Sequence, residues 1–204
     1  MITPYTNVYP EKKKVQTRKP DWSVKRMTDL QEMVLYTIRG NLDTIKNYCT
    51  GANSSYFQTK AGTFLCLKAI RTSELLAEIS VMNYEVDTPS YTAKDIRDTT
   101  DIIVDTLSED TKNFLSEVTL KIRGKIETEL EKTEQLLKNL LLECSYPSED
   151  TEEVKKMAAE FLDSIRQIAV YGIILTDLRE DITRQSIETQ VNQELETVLD
   201  YFYR

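Results

Sequence analysis

Residues Thr128–Gln167 read TELEKTEQLLKNLLLECSYPSEDTEEVKKMAAEFLDSIRQ. Two apolar rhythms meet there at one interruption, Tyr146-Pro147-Ser148. Leu130, Leu137, Leu141 and Cys144 precede it, and Val154, Met157, Phe161 and Ile165 follow it. Steps of three and four return a side chain to the same face of an α-helix. Proline cannot continue that helix, because it lacks an N–H and its ring clashes with the preceding turn. Ser148, followed by Glu149, Asp150, Glu152 and Glu153, predicts a fresh start. The hydroxyl can cap free amides, and acids favour the positive end of the helix dipole. Helices joined by so short a turn should lie antiparallel.

Working outward, the rhythm extends in both directions. Upstream it runs from about Thr92 through Ile96, Ile103, Leu107, Phe114, Val118, Ile122 and Ile126, with no proline and only Gly124. Ser108-Glu109-Asp110 can cap a new helix and marks a place for a kink. Downstream it runs through Ile168, Gly172, Leu175, Leu178, Ile182, Leu195, Val198 and Phe202. Between Ile182 and Leu195 the only apolar residues are Ile187 and Val191, and Ile187 falls off the stripe. Weak packing is expected there, or cover by a partner. Unbroken, each long stretch would reach roughly 80 Å.

Two shorter helices precede the hairpin. Val24, Met27, Val34, Ile38, Leu42, Ile45 and Cys49 share one face, and Gly51 is a plausible stop. Ala52-Asn53-Ser54-Ser55 reads as a turn with a capping serine. Phe57, Ala61, Phe64, the run Leu65–Ile70, Leu75, Ile79 and Met82 make the second helix, which Thr88-Pro89-Ser90 ends. At roughly 40 Å each, these two cover the long hairpin only in part. The expectation is either broken long helices in a compact bundle or an elongated molecule whose bare seam meets another chain.

The totals agree with an all-α bundle. Five glycines and five prolines in 204 residues are too few for the tight turns of a β fold. Histidine is absent, and the chain carries 26 Lys+Arg against 34 Asp+Glu, a formal charge of −8. Without histidine, Ser-His-Asp and Cys-His catalysis, His-ligated zinc and the His-containing di-iron motif are excluded. The isolated glycines cannot build a phosphate loop or a dinucleotide fingerprint. Cys49, Cys66 and Cys144 are widely spaced within apolar stretches and read as buried reduced thiols. They suggest the cytoplasm or another reducing intracellular compartment. No signal peptide and no membrane span is expected, and no cofactor.

Residues 1–21 form a separate unit, an extended basic arm, with the helical bundle domain spanning 22–204. In residues 1–20, Lys12, Lys13, Lys14, Arg18 and Lys19 face the single acid Glu11, a balance of +4 that leaves −12 on the rest. Pro4, Pro10 and Pro20 keep the arm from being helical. Together with Trp22, these cations are the expected partner contacts. The aromatics Tyr201, Phe202 and Tyr203 are a second set, since aromatic residues anchor protein interfaces. The acidic body opposes nucleic acid.

Three acidic patterns invite a metal reading. Asp98, Asp101, Asp105 and Glu109 recur on one helix face, where a solvated surface is the ordinary explanation. Glu131 with Glu134, and Glu160 with Asp163, are each spaced i, i+3. Folding the hairpin about Pro147 brings the two pairs level, so that four carboxylates could hold Mg²⁺ against phosphates without histidine. This looks like the motif pair of the all-α nucleoside triphosphate pyrophosphohydrolases, the MazG and dimeric dUTPase type. Over residues 131–163 the resemblance implies a metal site of Glu131, Glu134, Glu160 and Asp163.

The function expected from these features is a non-enzymatic structural or adaptor subunit of a larger protein assembly. It would bind other subunits through the arm and helical surfaces, with self-association through the long hairpin as a further expectation. The alternative is the Mg²⁺-dependent nucleotide hydrolase.

Overall fold

A computed structural model of the chain describes residues 24–51, 59–86, 90–107 and 114–203. Among them are six α-helices and no strand: α1 (Val24–Thr50), α2 (Lys60–Val81), α3 (Ala93–Asp105), α4 (Phe114–Ser145), α5 (Thr151–Asp177) and α6 (Arg184–Tyr203). The expected all-α bundle with two medium helices and an antiparallel hairpin is the observed fold. The arm, residues 1–21, lies outside the described residues.

Four helices close a ring, α1 on α2, α2 on α5, α5 on α4 and α4 on α1, and α6 packs against the outer side of α2. Their inward stripes build a single core. Leu35, Ile38, Leu42 and Ile45 of α1 meet Leu76 of α2, Ile122, Ile126 and Leu140 of α4, and Phe161 and Ile165 of α5. Burying a side chain of this size favours folding by about 1.5–3 kcal/mol. α2 is buried nearly all round, which its small residues Gly62, Ala69, Ser73, Ala77 and Ser80 allow. Gly172 of α5 is part of that fit. A Cβ there would stand 3.1 Å from Ile70 Cγ2.

The first long stretch is two helices, α3 and α4, rather than one. The reason lies in the ring. Gln31 near the start of α1 donates to the Ser80 carbonyl at the end of α2 (2.9 Å). Arg123 near the start of α4 reaches the Tyr48 and Cys49 carbonyls at the end of α1 (2.7 and 3.1 Å). So α2 ends at one end of the bundle and α4 begins at the other. The chain must travel back between them, and α3 makes that return. A capping box of Thr92 and Asp95 starts α3, and of its residues only Ile103 is buried.

The last stretch also breaks. α5 closes at Leu178, and Thr183 caps α6 by accepting from the Ser186 amide (3.2 Å). The turn is clasped by Arg179–Asp181 (2.8 Å) and Arg184–Asp177 (2.7 Å). This corrects the expectation of weak packing after Ile182. The break resets the helical phase, so Ile182, Ile187 and Val191 all enter the core.

Three helix ends differ from the sequence reading. Thr59 caps α2, accepting from the Gly62 amide at 3.1 Å. Asp150, not Ser148, caps α5 through the Glu153 amide (3.0 Å), while Ser148 Oγ accepts from the Asp150 amide. Met82 leaves the stripe, because α2 passes into a 3-10 turn over Met82–Tyr84, and its side chain is 67% exposed. Gly51 does stop α1, in the left-handed region at φ 70°. Arg123 then serves the last carbonyls of α1, which have no helical partner of their own.

Candidate functional site

The partner contacts Lys12, Lys13, Lys14, Arg18, Lys19 and Trp22 all lie outside the described residues. Tyr201, Phe202 and Tyr203 form the last turn of α6, and their side chains fall outside the description.

The hairpin brings residues 131–134 level with 160–163, but the positions facing each other there are not the carboxylates. Thr133 and Ser164 are fully buried and share a hydrogen bond of 2.7 Å, and Ser164 also donates to Glu129 (2.7 Å). Leu130, Thr133 and Leu137 hold the inward stripe, so Glu131 and Glu134 fall on its flanks. Glu134 accepts from Lys46 of α1 at 2.9 Å. Glu131, Glu160 and Asp163 are exposed, with Lys156 at 3.9 Å from Glu160. Asp98, Asp101 and Asp105 are exposed on α3. Among the described residues no three Cys, Asp or Glu side chains come together as metal donors would.

The three thiols are free. Burial pushes Cys49 up to about 12 and Cys144 up to about 11, and raises fully buried Cys66 well above its usual range. All three are therefore poor nucleophiles near neutral pH, since only the thiolate attacks.

A cleft of ≈ 640 Å³ lies between α2, α5, α6 and the start of α3. Its floor is apolar, built by Leu67, Ile70, Ala169 and Ile173. Its rim carries Arg71, Glu74, Tyr91 and Glu188. Arg71 pairs with Glu74 (2.5 Å) and with Glu188 of α6 (2.8 Å). Burial opposes the charge on Arg71, but the two carboxylates outweigh it and raise its pKa. Tyr91 bonds Glu74. Burial first, and then the Glu74 charge, hold its hydroxyl protonated. The polar groups of the rim thus satisfy one another, and they fasten α3 and α6 onto α2.

Sequence reasoning passed over this cluster. Its one signal was Arg71 and Glu74, an i, i+3 pair of opposite charges inside an otherwise apolar helix.

The apolar surface is uneven. Ile102 of α3 and Phe114, Leu115 and Leu120 of α4 are exposed at 62, 45, 58 and 62%, on the elements flanking residues 108–113. At the hairpin end, Tyr36, Leu142 and Tyr146 are exposed as well. Of the five leucines that the sequence places around the end of α4, Leu136, Leu137 and Leu140 are buried, Leu141 is half-buried and Leu142 faces outward.

No helix among the described residues is long and apolar enough to cross a membrane. No family model matches the chain, and no curated protein and no solved structure matches it significantly.

Proposed function

We propose that this chain is a non-enzymatic structural or adaptor subunit of a larger protein assembly, which it joins by surface contact. The observation that carries the reading is the division of charge. A 20-residue arm of +4 precedes a body of −12. A helical bundle does not need such a segment for its core, and opposite charges of this kind steer partners and fix register. The exposed Ile102, Phe114, Leu115 and Leu120, on the elements flanking residues 108–113, support a second contact area, because exposed large apolar side chains are what interaction surfaces use.

The partner for the arm is an acidic protein surface. Lysines and arginines spread along an extended segment match distributed carboxylates better than they match an apolar pocket. The aromatic end of α6 would add anchoring contacts.

The test is affinity capture on the tagged full chain, compared with a chain carrying Lys12→Glu, Lys13→Glu and Lys14→Glu. A partner retained by the first and lost by the second is expected. A chain that stays monomeric and retains nothing arm-dependent overturns the proposal. Release of pyrophosphate from any nucleoside triphosphate with Mg²⁺, lost in Glu134→Gln, would replace it with the hydrolase. The outward placement of Glu131, Glu160 and Asp163 and the Lys46–Glu134 pair do not favour that outcome.

A further inference from the structure

The end of the bundle from which the arm departs is acidic, and its acids make no ion pair among the described residues. α1 begins at Val24. Two turns on, Gln31 Nε2 donates to the Tyr84 hydroxyl (2.8 Å), which sets the start of α1 beside the 3-10 turn. Glu32 and Glu143 lie close enough to Cys144 for their charges to act on it, and Glu143 accepts from the Ser148 amide in the hairpin turn (2.7 Å). The start of α1, the end of α2 and the tip of the α4–α5 hairpin therefore meet at one end.

That end carries Asp29, Glu32, Glu85, Glu143, Glu149, Asp150, Glu152 and Glu153. None of them is in an ion pair among the described residues, whose Lys and Arg partners lie elsewhere. The same end also carries cations, Lys25 and Arg26 in the first turn of α1 and Lys155 and Lys156 in the first turns of α5, so its acids outnumber them eight to four; Lys156 leans toward Glu160. Large apolar side chains stand among these acids. Tyr146 is 80% exposed, Met82 67%, Tyr36 53% and Leu142 52%.

We propose that residues 1–23 dock on this hairpin end of their own chain, with the arm's cations on its carboxylates and Tyr5, Tyr9 and Trp22 on its exposed apolar side chains. The proposal rests on the reading that the arm works by contact, and it adds a regulator. The hairpin tip is the arm's internal competitor, and an outside partner must displace it.

Three arguments choose this occupant. The first is charge, +3 on residues 1–23 (five cations against Glu11 and Asp21) facing an end whose eight acids make no ion pair among the described residues. The second is position, since the arm joins α1 at that end. Twenty-three residues extend to at most about 80 Å, so reach does not limit the contact. The third is concentration. A short tether holds its end at roughly millimolar effective concentration, far above what a second copy supplies at ordinary dilution. The complementary chemistry of the tip also describes the outside partner, an acidic surface with exposed aromatic or aliphatic side chains.

A zero-length carbodiimide crosslink tests this on the full chain, because it joins an amine only to a carboxylate it touches. Isotope-labelled and unlabelled chains are mixed first, to tell contacts within a chain from contacts between chains. The expected products join Lys12, Lys13, Lys14 or Lys19 to Glu143, Glu149, Glu152 or Glu153 within one chain. Their yield should not change on dilution and should fall about fivefold or more in about 0.5 M salt. Amides of residues 149–154 should exchange about threefold faster in the Lys12→Glu, Lys13→Glu, Lys14→Glu chain, which loses the cover.

Arm crosslinks spread over the other acidic faces, or none at all, overturn the proposal. Crosslinks found only between labelled and unlabelled chains overturn it in favour of a second copy. Arm–tip crosslinks in a chain that captures no partner would retire the adaptor reading and leave self-docking in place. An arm-dependent partner without those crosslinks would retire self-docking alone.

Discussion

Arg71→Met probes how α2 holds α3 and α6. Glu74 keeps only 5% of its side chain in contact with solvent, and Arg71 is the cation it pairs with. Removing the guanidinium leaves that carboxylate buried beside the Tyr91 hydroxyl, without a cation. Breaking a buried pair from one side typically costs 3–5 kcal/mol. Arg71 itself keeps 32% of its side chain in water, so solvent can enter part of the vacated space, and the lower end applies, about 3 kcal/mol. For a chain of this size the melting temperature should fall by about 6–12 °C. Thermal and urea unfolding followed at 222 nm read this directly. The second arm of the experiment is Arg71→Met with Glu74→Leu, which removes both charges and fills the space with hydrocarbon. It should return to within about 1 kcal/mol of the parent, since replacing a buried pair by apolar groups is often neutral. Glu188→Gln, at a half-exposed carboxylate, should change stability by less than about 1 kcal/mol. The reasoning fails if Arg71→Met costs under about 1 kcal/mol, or if the double variant is no more stable than the single one.

Other expectations are read by the same unfolding measurements. Gly172→Leu should destabilise by about 1–3 kcal/mol, because even a Cβ meets Ile70 at 3.1 Å. Gly124→Ala, where nothing stands within 4 Å, should stabilise by about 0.5–1 kcal/mol. Val191→Ala should cost about 1.5–3 kcal/mol from two lost methyl groups and the void they leave, whereas a loosely packed α6 would give under about 0.5. Between pH 9 and 12 the folded chain should lose stability as pH rises. The unfolded chain releases thiol protons from about pH 9, while the fold holds that of Cys49 up to about 12, and Cys49→Ala should flatten part of the slope. Native labelling by iodoacetamide at pH 8 should reach half-buried Cys144 before buried Cys49 and Cys66.

Much of the fold was legible because the apolar spacing records which helix face turns inward. The hairpin, its turn at Pro147 and the core stripes of α1 and α4 follow from that spacing alone. The breaks were harder to read, since a three/four rhythm can be carried across a gap by chance. Ser108 lay near a real interruption, but what forces it is that α2 and α4 must run parallel in the ring, a constraint no local pattern contains. Broken long helices were one of the two expectations, but the rhythm alone does not place a break at Leu178. Ile187 falls off the stripe only if one helix runs on, and Thr183, which caps α6, is the available sign. The carboxylate motif failed for a simpler reason. Level positions on two helices are not facing positions, and Thr133 and Ser164 hold the facing ones. The arm's charge was plain from the sequence. The acidic hairpin end was not, because it gathers residues from α1, α2, α4 and α5 that are more than a hundred positions apart.

The central claim is that this chain works by contact through its basic arm. Quantitative mass spectrometry of complexes captured on the tagged full chain, with and without charge reversal at Lys12, Lys13 and Lys14, addresses it most directly. The account predicts at least one protein recovered in near-equal amount by the parent chain and depleted about tenfold or more by the reversal. Identical recoveries from both chains would contradict it.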